Sequence, residues 1–141
     1  MAPLQKRALY SLLIGLLLAA GLVAIFVVKG ISAFDEDAGF RFIVYCLWIG
    51  VPLVYLVLIN ITLRKPNQTD ERDRQIIEQS SKIQILGIIF SLVIWVIVLT
   101  EYYRDPGQVP VIFLTLIFIS VLIVSTLSQS LGILLGYLRY R

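Results

Sequence analysis

Along its length the chain alternates four long apolar stretches with short polar connections. The stretches cover residues 8–28, 42–63, 83–100 and 110–138, and none has a Lys, Arg, Asp or Glu in its interior. Crossing ~30 Å of hydrocarbon at about 1.5 Å per residue takes about 20 residues. Each stretch therefore predicts a transmembrane helix. The predicted fold is an all-α integral membrane protein, a four-transmembrane-helix bundle forming one domain over residues 1–141. Pro66, Asn67 and Gln68 break the chain after the second span. Thr69 or Asp70 can then cap a helix that is expected to run without interruption over 70–100, with 70–82 projecting from the membrane. Asp105-Pro106-Gly107 reads as a tight turn, and Pro110 suits the first turn of span four. In span two, Pro52 removes a backbone donor and predicts a kink, while Asn60 is read as a packing amide.

The basic residues set the expected orientation. Lys6, Arg7, Arg64, Lys65, Arg72, Arg74, Lys82, Arg139 and Arg141 fall on the side holding both termini and the middle loop. Only Lys29, Arg41 and Arg104 fall on the other side, so both termini are expected in the cytoplasm. The acidic residues Asp35, Glu36, Asp37, Glu101 and Asp105 in the outer loops agree with this placement. Phe34, Phe40, Phe42, Tyr45, Tyr102 and Tyr103 at one boundary, and Tyr10, Tyr137 and Tyr140 at the other, read as interface anchors. Lys6 and Arg7 ahead of an apolar run resemble the start of a signal peptide. That run continues to Val28, past the ~7–15 residues of a signal core, and is expected to be a retained first span.

Composition narrows the chemistry. A hydrophobic fraction of 59% and a mean hydropathy of +0.91 exceed those of a water-soluble domain and leave little chain for one. Histidine is absent, so no imidazole can ligate haem, zinc or copper or relay a proton. Cys46 is the only cysteine, which excludes an intrachain disulfide or iron–sulfur ligand set; it reads as a small apolar side chain of span two. No span carries the lysine that retinal would need. No cofactor, metal site or enzymatic activity is expected. The net charge of +3 comes from residues flanking spans, and nucleic acid is not an expected partner.

Two features remain as candidate sites. The first is the charged stretch after the middle loop, with Asp70, Glu71, Arg72, Asp73, Arg74 and Glu78 as candidate partner-docking residues. Asp70, Glu71 and Asp73 favour the positive N-terminal end of a helix, and Asp70–Arg74 and Glu78–Lys82 have i,i+4 spacing. The stretch reads either as a solvated helix extension or as a docking surface. The second feature is the small and polar face of span four: Ser125, Ser128, Gln129, Gly132 and Gly136, with Thr126 and Ser130 around them. Small residues every four positions let helix backbones approach closely, and hydroxyls or amides can bond across the contact. Gly15 and Ala19 in span one, and Gly87 and Ser91 in span three, are weaker counterparts. This face serves either bundle packing or an oligomer interface. A pore lined by Thr115, Ser125 and Gln129 would need several protomers.

The run Asp70-Glu71-Arg72-Asp73, followed by Arg74-Gln75-Ile76-Ile77-Glu78 and then a span, resembles a family of small prokaryotic predicted membrane proteins of unknown function with a DERD-type cytoplasmic motif. The likeness covers about a third of the chain, spans three and four included. It implies a multi-span fold in a prokaryotic plasma membrane and supplies no substrate, cofactor or catalytic residue. Some relatives are encoded near helix-turn-helix regulators, which implies a sensing or regulatory accessory role. The expected function is that of a non-enzymatic structural or regulatory accessory subunit. Its partners would be the lipid bilayer and another membrane protein or further copies of itself. The alternative is an oligomeric channel or transporter for a small neutral or lipophilic solute. Spans without charge offer no ionisable group for ion coupling.

Overall fold

The computed structural model describes residues 2–62, 70–105 and 107–139, apart from the side chains at 51, 52, 54–56 and 58–62. The break at Pro66, Asn67 and Gln68, the alternative cap Thr69, Pro106, and Arg64, Lys65, Tyr140 and Arg141 lie outside the described residues. So do the side chains of Pro52 and Asn60.

Every element among the described residues is helical: α1 (Pro3–Lys29), α2 (Ser32–Glu36), α3 (Ala38–Thr62), α4 (Glu71–Tyr102) and α5 (Ile112–Arg139). Three of them, α1, α4 and α5, are long and apolar enough to cross a membrane. Their 27, 32 and 28 residues correspond to about 40, 48 and 42 Å of helix, each longer than the ~30 Å of a bilayer core. Helix α3 continues as α-helix through position 52.

Local chemistry explains the ends. Pro3 occupies the first turn of α1, where its missing N–H costs nothing. Gly30, at φ +80°, terminates that helix and donates its N–H to the Phe26 carbonyl at 2.9 Å. Asp70 starts α4 by accepting the Glu71 N–H at 2.9 Å, and Glu71 and Asp73 sit in the first turn. The hairpin between α4 and α5 turns at Gly107, at φ +65°, whose N–H reaches the Tyr103 carbonyl at 3.1 Å. Pro110 accepts from Phe113 just before α5, opening the turn that leads into it.

Helix α5 is the centre of the packing. It runs antiparallel to α4 along most of its length and also packs on α1; among the described residues, α3 meets α1 and α2 around its first turns and sets Trp48 edge-on to Phe118 of α5, 5.2 Å between ring centroids. Two apolar clusters show how the helices are ordered. At one end, Ala8 of α1, Ile76 of α4 and Ile133 of α5 meet. At the other, Leu22 of α1, Phe34 of α2, Phe40 and Val44 of α3, and Ile112 and Ile119 of α5 meet. The start of α1, the start of α4 and the end of α5 therefore share one end of the bundle.

Elsewhere the exterior is apolar. Leu17, Val27, Phe90, Val96, Leu114 and Leu138 are all well exposed. Polar side chains face inward instead: Gln84 donates to Ser125 Oγ at 2.6 Å, and Trp95 Nε1 donates to Ser120 Oγ at 2.7 Å. An apolar outside around a polar seam suits hydrocarbon as solvent and inverts the plan of a water-soluble bundle.

The aromatic residues depart from the boundary-anchor expectation in part. Phe42, Tyr10 and Tyr102 are exposed, as anchoring requires. Phe34 and Phe40 are instead buried, at 5% and 2% exposure, with Phe26 edge-on to Phe40 at 5.7 Å between ring centroids. The reason is α2, a five-residue helix within what the sequence reads as a loop, which folds Phe34 back onto Phe26 and Tyr45. Cys46 is exposed on α3.

Candidate functional site

The first three turns of α4 carry the charged stretch, and helical spacing divides it into two faces. Glu71, Arg74, Gln75, Glu78 and Lys82 recur at three- and four-residue steps and are exposed. Asp73, Ile76 and Ser80 lie on the opposite side and are buried, at 8%, 0% and 0% exposure. The segment is thus not a free extension, because one side of it is sealed against α5 and the start of α1.

Asp73 is therefore separated from the other candidate docking residues. Its Oδ1 accepts a hydrogen bond from the Tyr137 hydroxyl at the end of α5, across 64 residues of chain. The Arg72 guanidinium lies 5.8 Å from the centroid of the same Tyr137 ring. Burying a carboxylate without a partner is expensive, so the tyrosine donor is what permits Asp73 to point inward. Tyr137 thus fastens the end of α5 to the start of α4.

Asp70 is exposed and acts as the cap of α4, and Glu71, Arg72, Arg74 and Glu78 are exposed. Among the described residues, no ion pair joins Glu78 to Lys82 or Asp70 to Arg74. The result is a ledge of alternating sign, Glu71, Arg74, Glu78 and Lys82, mounted on a packed backbone.

The second candidate set lines the α4–α5 contact. A Cβ on Gly132 would come within 2.8 Å of Ser80 Cα, and one on Gly136 within 2.8 Å of Ile76 Cγ2. Gly87 of α4 lies directly against Ser128. Ser125 accepts from Gln84. Gln129 is half-buried on the same helix, and Thr115 is half-buried about four turns nearer its start. Gly15 of α1 approaches Leu127, where an added Cβ would meet the Leu127 Cδ2 at 2.9 Å. Thr126 and Ser130 return their hydroxyls to the carbonyls of Leu122 and Thr126, at 2.9 and 2.8 Å, which satisfies them without a neighbour.

Side-chain pairs Asp73–Tyr137, Gln84–Ser125 and Trp95–Ser120 were not singled out by sequence reasoning. Asp73 could have been placed inward from its spacing to Ile76 and Ser80. Nothing local in the sequence points from Asp73 to Tyr137. Among the described residues, no group of three or more Cys, Asp or Glu is close enough to hold a metal ion. Comparison with family models, with curated proteins and with solved structures finds no match to this chain.

Proposed function

We propose that this protein is a non-enzymatic accessory subunit of a prokaryotic plasma membrane, with α3 as a fourth span and both termini in the cytoplasm. The charged ledge of α4 is its docking surface. One observation carries this reading: Glu71, Arg74, Glu78 and Lys82 face outward on a helix whose reverse side is held by Asp73 and Tyr137. A docking surface gains from being held in its bound shape, because less freedom is lost on binding. The small-residue face of α5 supports the same division of labour. Gly132, Gly136 and Ser128 lie against α4 and are taken up by packing, whereas the ledge stays open to a partner. The sequence of α3 carries one charged residue, Arg41, near its start, which is what a fourth span requires. The likeness of the Asp70–Asp73 run to a family of unknown function adds no activity to this reading.

The pore alternative has less support, since Ser125, one of its lining groups, is engaged by Gln84. The test is purification from a mild detergent after cross-linking in the native membrane. A partner band is expected for the natural chain and is expected to be lost when Glu71 and Glu78 are both changed to lysine. A monomer with no partner, or a partner indifferent to that reversal, overturns the docking assignment.

A further inference from the structure

At the end of the bundle opposite the charged ledge, an open recess of about 360 Å³ lies between the last turns of α1 and the first turns of α3. Its walls are Ala24, Ile25 and Val28 on one side and Phe40 and Ile43 on the other, and Lys29 stands at its rim. The wall at Phe40 is fixed, because the ring is 2% exposed and clamped edge-on by Phe26. The Lys29 ammonium lies 5.7 Å from the centroid of the Phe40 ring and has no carboxylate partner among the described residues.

We propose that this recess binds one acyl chain of a bilayer glycerophospholipid whose phosphate pairs with Lys29. The inference is independent of the docking assignment at α4. It rests on charge complementarity: an apolar slot with one cation at its mouth matches an acyl chain joined through glycerol to a phosphate. α1 is long and apolar enough to cross a membrane, so its last turns lie where hydrocarbon gives way to headgroups. A lysine there keeps its stem along apolar surface and its charge at headgroup level. Asp35, Glu36 and Asp37 follow close behind in the chain. Their charge favours a headgroup with an ammonium beyond its phosphate over one that is purely anionic.

Native mass spectrometry of the detergent-purified protein tests this with phosphatidylethanolamine and a diacylglycerol of the same chains as probes. The natural chain is expected to retain the phospholipid over the diacylglycerol by about fivefold, the scale of one partly exposed ion pair. Lys29→Gln is expected to abolish that preference while leaving diacylglycerol retention unchanged. Ala24→Phe, which fills the slot from an exposed position, is expected to lower retention of both probes. Lys6→Gln, an exposed lysine at the other end, is the control and is expected to change neither. Lys29 is exposed, so its substitution does not disturb the core, and helical ellipticity reports on the fold of each variant. Equal retention of the two probes by the natural chain, or a preference that survives Lys29→Gln, overturns the proposal. So does retention that is unchanged in Ala24→Phe.

Discussion

Replacing Gly132 with alanine probes the α4–α5 contact at its closest point. The new Cβ would sit 2.8 Å from Ser80 Cα, a backbone atom that cannot rotate away. Ordinary carbon–carbon contact is about 3.5–4.0 Å, so the helices must part locally by about 1 Å. That parting loosens the burial of Ile76 and Ser80, both fully enclosed at this level. Overpacking of this kind costs about 1–3 kcal/mol. Alanine returns up to about 1 kcal/mol through its better helix propensity. Because the obstacle is backbone, the upper half of the cost applies, and the net loss is about 1–2 kcal/mol. The control is Gly21→Ala on α1, where the added Cβ meets nothing within 4 Å. It is expected to be neutral or slightly stabilising. Unfolding by sodium dodecyl sulfate titrated into mixed micelles, followed by ellipticity, reads both. If Gly132→Ala unfolds at the same detergent fraction as Gly21→Ala, the close-packed contact between α4 and α5 is wrong.

Three further expectations follow from the same geometry. Tyr137→Phe removes the donor to the buried Asp73 carboxylate and is expected to cost about 1–3 kcal/mol, whereas Asp73→Leu combined with Tyr137→Phe recovers much of that loss; a double-mutant cycle in the same titration measures it. Ser120→Ala in a Trp48→Phe background removes the acceptor for the Trp95 indole and is expected to shift Trp95 emission to shorter wavelength, with a stability loss of only about 0.6 kcal/mol. Gln75→Cys in a Cys46→Ser background places one thiol on the exposed side of α4; a membrane-impermeant maleimide is expected to label it only from the cytoplasmic side, and labelling from outside reverses the proposed orientation.

Much of the helical layout was legible from residue order. A cap, an acidic first turn and an unbroken apolar run are all local signals, and the helix they predict over 70–100 is found at Glu71–Tyr102. The small-residue spacing of Ser128, Gly132 and Gly136 was visible too, though not what it faces. The sequence reading of 70–82 as either solvated or docking had no place for a segment with one side sealed. That sealing depends on Tyr137, far away in the chain. Helix α2 is not legible in the sequence because five residues are too few to carry a periodic pattern, and Phe34 is buried by Phe26 and Tyr45 on other helices.

Hydropathy and charge add up along neighbouring residues, so order alone determined that the chain is helical, apolar and without histidine chemistry. Pairing does not add up in that way. Which glycine meets Ser80, which tyrosine reaches Asp73 and which phenylalanine stands beneath Lys29 are choices among many registers of similar apolar surface. Only the assembled helices decide among them, because close approach of backbones and donor–acceptor geometry act between elements that the chain itself holds far apart.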